Sequence, residues 1–239
     1  MPREFIEQFL RDKTATQIRL AIQDEKENVM KTNRTGADYI RSLLGLDYLF
    51  KYLEKIGEKT VLDCGAGNTL GITQISKSLL AGDIIFDATV LRKIDSAIEQ
   101  NLGREHTFRT PIETFTALAD KQYGAILALN SLAYSSAPEL AIASIDKHLV
   151  KGGVIKATFI KKQYWHHLEG WNTHDAFSEQ LSQLGYDLAI APNDADKKID
   201  VLVAVKSGGI TSASEILEKD RDNWATDFEV LKNQFDGDD

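Results

Sequence analysis

Apolar positions recur at helical spacing through the first quarter of the chain, then give way after residue 60 to short solid apolar runs separated by helical stretches. Phe5, Ile6, Phe9 and Leu10, followed after a polar break by Ile18, Ile22 and Met30, predict helix over residues 4–30. A turn-rich stretch over residues 32–36 punctuates the pattern. Tyr39, Ile40, Leu43, Leu44, Tyr48, Leu49, Tyr52, Leu53 and Ile56 then predict one helix ending near Gly57. Thr60, Val61 and Leu62 are strand formers, and Asp63 sits where that strand ends.

From there the chain alternates. Leu70, Ile72, Ile75, Leu79 and Leu80 predict a helix over 68–80, Ile84 to Phe86 a short strand stopping at Asp87, and residues 89–101 a second helix. A weak strand is expected near 106–109 and a short helix or loop over 112–118. Residues 125–129 form a fully apolar run typical of a strand buried on both faces. A helix over 138–149, a turn at Gly152-Gly153 and a strand over 154–159 follow. Strands alternating with helices, at spacings too long for hairpins, predict an α/β fold with a parallel, doubly wound sheet. The rhythm breaks at residues 188–190 and 201–205, which have only a polar stretch between them, so these strands should close the sheet as an antiparallel hairpin. In the charged tail, Trp224, Phe228, Leu231 and Phe235 make one stripe of a helix, which is expected to dock on its own domain; docking on a protein partner is the alternative. The expected division is a helical extension or lid over 1–58, a core over 59–208 and a charged helix and tail over 209–239.

Composition narrows the function classes. The 239 residues are 43% hydrophobic and 27% charged, enough for one main core and unlike a disordered chain. The net charge of −8 argues against a general nucleic-acid binder, which needs a basic face. A single cysteine, Cys64, allows no intrachain disulfide framework and no multi-cysteine zinc site, and no metal is expected. The start of the chain lacks an apolar leader and no run approaches membrane-spanning length, so a cytoplasmic protein without a membrane partner is expected.

The candidate chemistry lies in Thr60-Val-Leu-Asp-Cys-Gly-Ala-Gly-Asn-Thr-Leu-Gly71, a strand running through a glycine turn into a helix. Gly65 and Gly67 allow a tight turn and a close approach. An ionised Asp63 accepts hydrogen bonds and donates none, which favours a ligand bearing amino or hydroxyl groups over one bearing phosphates. The turn lacks the Gly-Lys-Ser/Thr ending of a P-loop, and Leu70 stands where a dinucleotide fingerprint has its third glycine. Taken singly, Asp63 and Asp87 read equally well as helix N-caps.

The run Val-Leu-Asp-Cys-Gly-Ala-Gly resembles motif I of class I S-adenosylmethionine-dependent methyltransferases, and the resemblance extends through most of residues 60–206. Asp87 stands where this family has the acid that holds the ribose hydroxyls. Phe108-Arg-Thr-Pro-Ile-Glu113 is similar to the segment bordering the adenine, Tyr123-Gly-Ala-Ile-Leu-Ala-Leu-Asn-Ser-Leu to the fourth-strand motif, and His148-Leu-Val-Lys-Gly-Gly-Val154 to the turn before the fifth strand. The resemblance implies a Rossmann-like, mostly parallel seven-stranded sheet with a C-terminal antiparallel hairpin, and S-adenosylmethionine as cofactor. It departs from the pattern at Thr69, where many members have a third glycine, and at Pro111, where many have an acid for the adenine amino group.

Carried over, the resemblance implies that Asp63 accepts from the methionine ammonium, and that Gly65, Ala66 and Gly67 pass along the ribose and amino-acid portion. Asp87 and the adjoining Ala88 meet the ribose, the Ile112 N–H meets the adenine with Glu113 nearby, and the Leu129 carbonyl and Asn130 face the methionine part. Arg34, ahead of the core, is a candidate partner for the methionine carboxylate, with a plain helix-initiation turn as the alternative. Tyr134, His166 and His167 are candidate catalytic residues in the segments after the fourth and fifth strands, because open α/β sheets bind ligands at the carboxyl ends of their strands. The competing reading has Tyr164, Trp165 and Trp171 packing on the core while the histidines face solvent. The expected function is methyl transfer to a small molecule or a protein side chain. The alternative is an inactive methyltransferase-like scaffold that uses its C-terminal helix to bind a protein.

Overall fold

The structure, a computed structural model, describes residues 35–66, 71–77, 82–90, 102, 104–108, 110–113, 121–135, 137–164 and 172–235. The expected helix at 4–30 and residues 91–101 of that expected at 89–101, together with Arg34, Gly67, Trp165, His166, His167 and Trp171, lie outside these residues.

Seven strands form one sheet in the order β3-β2-β1-β4-β5-β7-β6. They are β1 (Thr60–Asp63), β2 (Ile85–Thr89), β3 (Thr107–Phe108), β4 (Tyr123–Leu129), β5 (Leu149–Ile160), β6 (Asp187–Pro192) and β7 (Ile199–Val205). The first five pair in parallel, while β7 runs antiparallel between β5 and β6, with Val154 opposite Val205 and Ile160 opposite Ile199. The expected hairpin is therefore present. Every residue of β4 is buried, as a central strand covered on both faces must be.

Helices cover both faces. On one lie α1 (Gly36–Leu43), α2 (Asp47–Ile56), α3 (Gly71–Lys77) and α6 (Ala213–Phe235), whose Tyr39, Leu43, Leu49, Leu53, Ile72, Ile216 and Leu217 pack with Val61, Leu127 and Val203. On the other, Ala141, Ile142 and Ile145 of α4 (Pro138–His148) and Phe177 and Leu181 of α5 (His174–Gln183) pack on Leu62, Ile126 and Phe159. Trp224 and Phe228 of α6 rest against the first of these cores, so the part of the C-terminal stripe that is described docks on its own domain.

Three boundaries differ from the sequence expectation. The single helix expected over 39–56 is two, broken at Leu44 (φ 55°) and Gly45 (φ 86°). The cause is tertiary: a Cβ at Gly45 would lie 2.5 Å from the Asp220 carbonyl oxygen, and the carbonyl freed by the break accepts from Lys156 Nζ at 2.8 Å. The Gly152-Gly153 pair is not a turn but lies inside β5, where Gly152 has φ 74° and the β4 register shifts in a bulge. Strand β2 does not stop at Asp87 but continues to Thr89, which places Asp87 inside the strand.

Lys156 and Asp220 form an ion pair of 2.6 Å with neither side chain exposed. Asp220 also accepts from the N–H groups of Tyr48 (2.7 Å) and Leu49 (3.3 Å) at the start of α2. Two buried charges persist only with such geometry, because their desolvation otherwise outweighs their attraction. The pair therefore fixes α6 and the α1–α2 break to the centre of the sheet.

Candidate functional site

The order of the sheet reverses between β1 and β4, which makes the carboxyl ends of these strands the crevice where an open α/β sheet takes ligands. Asp63 ends β1 and is fully buried, and its Oδ2 accepts from the Tyr39 hydroxyl at 2.7 Å. Tyr39 comes from α1, whose start carries a capping box between Thr35 and Asp38. The Gly36 N–H also donates to Gln74 Oε1 on α3. The chain from Thr35 thus begins a helix, and it reaches the strand-end acid through a residue that the sequence had placed in an apolar stripe.

Gly65 turns with φ 73°, and a Cβ there would stand 2.7 Å from Ser131 Cβ. Glycine is required both by the left-handed backbone and by the close approach of the segment after β4. The Gly65 N–H donates to Thr89 Oγ1 at 2.8 Å and the Ala66 N–H to the Thr89 carbonyl at 3.0 Å, so the end of β2 holds both donors of the turn. Thr89 was not among the residues expected at the site; its signal was a threonine two positions past the acid, within reach once β2 continues beyond Asp87. Between Asp63 and the turn, Cys64 is buried, and its thiol is pushed up to about 12, by burial first and then by the neighbouring Glu113 and Asp63. It stays protonated at neutral pH and is no nucleophile.

Asp87 is nearly fully buried and receives three side-chain contacts: His106 Nδ1 at 2.7 Å, Lys121 Nζ at 2.8 Å and the Tyr123 hydroxyl at 2.8 Å. Burial and then the Asp87 carboxylate push the Tyr123 phenol up, which keeps it a donor. Lys121 also lies 4.7 Å from the centre of the Phe108 ring. Asp63 and Asp87 both belong to strands, so neither is a helix N-cap.

Ala88, paired with Asp63, is fully buried, and Ile112 is buried in the second core. Next to Ile112, Glu113 accepts from the Ser135 hydroxyl at 2.7 Å. Leu129 ends β4. Asn130 follows in the left-handed region (φ 56°), its N–H donating to Thr158 Oγ1 while that hydroxyl donates back to Asn130 Oδ1, both at 2.9 Å. Tyr134 closes a short turn, Leu132–Tyr134, and packs partly on the second core. Asn172 binds this turn to the segment after β5: its N–H donates to the Ala133 carbonyl at 2.9 Å and its side-chain amide to the Ser135 carbonyl at 2.7 Å. Asp63, Gly65, Ala66, Leu129 and Asn130 thus converge on the β1 and β4 ends, whereas Asp87 is turned into a cluster of its own. No group of side chains with metal-binding geometry occurs among the described residues.

No protein-family model and no curated protein sequence matches the chain. Solved structures do. The plantazolicin methyltransferase BpumL, in complex with S-adenosylhomocysteine, is similar over 85% of this chain and 99% of its own, with a TM-score of 0.56 at 13% identity. The Burkholderia thailandensis 1,6-didemethyltoxoflavin-N1-methyltransferase, with its namesake compound and S-adenosylhomocysteine bound, is similar over 87% of this chain and 91% of its own, with a TM-score of 0.51 at 14% identity. The [4+2]-cyclase SpnF is similar over 68% of this chain and 81% of its own, with a TM-score of 0.50 at 14% identity. Together with the strand order, these likenesses define the fold: it is the Rossmann-like fold of class I S-adenosylmethionine-dependent methyltransferases.

Proposed function

We propose that the chain is an S-adenosylmethionine-dependent methyltransferase acting on a small molecule. The observation that carries this reading is the buried Asp63 carboxylate at the end of β1, followed at once by the left-handed Gly65, at the point where the sheet order reverses. The chemistry of these groups suits a ligand with an ammonium group and hydroxyls, since acids and hydroxyls line the turn where a pyrophosphate would need donors. The likeness to methyltransferases of a toxoflavin precursor and of plantazolicin favours a small molecule over a protein side chain. The likeness to a [4+2]-cyclase means that the fold by itself leaves the reaction to be tested.

In this reading Asp63 receives the methionine ammonium, Gly65, Ala66 and Gly67 lie along the ribose and amino-acid portion, and Leu129 and Asn130 border the reacting end. Ile112 lies by the adenine and Arg34 pairs with the carboxylate. Ribose binding at Asp87 requires that hydroxyls replace one or more of its present donors, with Ala88 lending backbone only. The cofactor supplies a methyl group already activated on a sulfonium. The protein therefore has to orient the acceptor in line and exclude water, and Tyr134, His166 and His167 are the candidates for accepting a proton. Cytoplasmic location belongs to the same proposal, and a single cysteine suits a reducing compartment; no helix among the described residues is long and apolar enough to cross a membrane.

Calorimetric titration with S-adenosylmethionine and S-adenosylhomocysteine tests the reading. Binding is expected, and its loss in the double variant Asp63→Ala, Asp87→Ala. No heat and no thermal shift at millimolar ligand would reject it.

A further inference from the structure

We infer that Tyr39 is a positioning residue: its hydroxyl presents the Asp63 carboxylate to a ligand's ammonium group, and so selects for ligands that carry one. The inference rests on the cofactor reading above. Tyr39 and Asp63 are both fully buried and their oxygens lie 2.7 Å apart. An ionised carboxylate only accepts, so the phenol donates, in a charge-assisted hydrogen bond.

Burial disfavours the charged form of a carboxylate, and a hydrogen bond donated to that form restores it. Tyr39 supplies such a hydrogen bond to Asp63 inside the protein, and so favours the ionised form that recognition of a cation requires. The phenol also sets the plane of the carboxylate, because it stands on a helix that is not free to follow. Helix α1 is tied to α3 by the Gly36 N–H on Gln74, and a Cβ at Gly36 would already lie 3.0 Å from Gln74 Cβ. Two tethers thus connect α1 to the elements on either side of the glycine turn. This hydroxyl acts on a ligand only through Asp63, so it should matter for an amine-bearing ligand and not for the nucleoside part of the same molecule.

Tyr39→Phe removes the hydroxyl and keeps the ring, and thermal melting checks that the variant folds. The probes are S-adenosylhomocysteine and 5′-deoxy-5′-methylthioadenosine, which keeps the nucleoside and thioether but lacks the amino-acid group. Titration calorimetry is expected to show Tyr39→Phe weakening the first about tenfold while changing the second less than about twofold. In an Asp63→Asn background, Tyr39→Phe should cost little further affinity, because the two residues act as one unit. Equal losses for both probes would assign Tyr39 a purely structural part and overturn the inference, as would unchanged binding of S-adenosylhomocysteine or full additivity with Asp63→Asn. An unaltered chain that binds neither probe overturns the cofactor reading itself, and the inference with it.

Discussion

Asp63 and Asp220 are both fully buried carboxylates, yet the chain treats them in opposite ways. Asp220 meets a full cation, Lys156, and two backbone N–H groups, so its charge is matched within the protein and the contact acts as a fastener. Asp63 stands at the carboxyl end of a parallel strand, and the contact described for it is a hydrogen bond from a neutral phenol rather than from a buried lysine. Asp87 stands between the two, because Lys121, His106 and Tyr123 surround it and ribose hydroxyls would have to replace one or more of them. A buried acid is therefore diagnostic of a ligand site only through the kind of partner it has.

The sharpest way to break this comparison is to remove the cation of the fastener. Lys156→Ala should cost about 3–5 kcal/mol by leaving Asp220 buried and unmatched. Thermal unfolding should register it as a fall of roughly 10 °C in Tm, and the double variant Lys156→Met, Asp220→Leu should regain part of the loss, the Tyr48 and Leu49 N–H groups and the Gly45 carbonyl having lost their side-chain partners. A small effect of Lys156→Ala would mean that the seam is solvated and the contrast false.

Gly65→Ala comes next. The left-handed backbone alone costs about 1–2 kcal/mol with a Cβ, and Ser131 must also move. S-adenosylhomocysteine affinity should fall by more than stability does, as measured by calorimetry beside a melting curve. Thr89→Val removes the acceptor of the Gly65 N–H and should cost about 1 kcal/mol in denaturant unfolding, with a parallel loss of ligand affinity.

The smallest effect concerns Asp227 on α6, whose Oδ2 is buried and has no hydrogen-bond partner among the described residues. Burial, then the Asp47 and Asp220 carboxylates, pushes Asp227 up to about 6, against the opposing pull of Lys51 and Lys156. The unfolded chain releases this proton near an ordinary aspartate value of about 3.9. Between these limits the folded state binds the extra proton, so this residue's share of stability falls as pH rises from about 4 to about 6 and is level above. Asp227→Asn should flatten that part of the pH profile and raise Tm slightly at pH 7.

Much of the fold was legible because it is written locally. Solid apolar runs such as residues 125–129 mark central strands, and the helix-free gap between residues 192 and 199 could only be a hairpin. What escaped depends on partners distant in sequence. The break at Gly45 answers to Lys156, 111 residues away, and nothing in the stripe from Tyr39 to Ile56 announces it. The reach of β2 past Asp87 was hidden because a strand buried on both faces shows no alternation. At the site, Asp63 and Gly65 were legible from the motif, whereas the surroundings of Asp87 were not, because His106, Lys121 and Tyr123 come from three separate segments. Tyr39 was hidden by its own amphipathic character: its ring satisfies the apolar stripe while its hydroxyl serves the acid.

The Lys156–Asp220 pair also constrains the order in which this protein can be made. When residue 205 leaves the ribosome, every strand of the sheet is available, yet the carboxylate that matches the lysine at its centre has still to be synthesised. Until α6 follows, Lys156 lacks that carboxylate and the Gly45 break lacks the helix that packs on it. The nascent sheet then carries a partly uncovered apolar face where Ala213, Ile216 and Leu217 will pack, the kind of surface that chaperones hold. The helix translated after every strand that it helps to cover is therefore the one that completes the packing of this face.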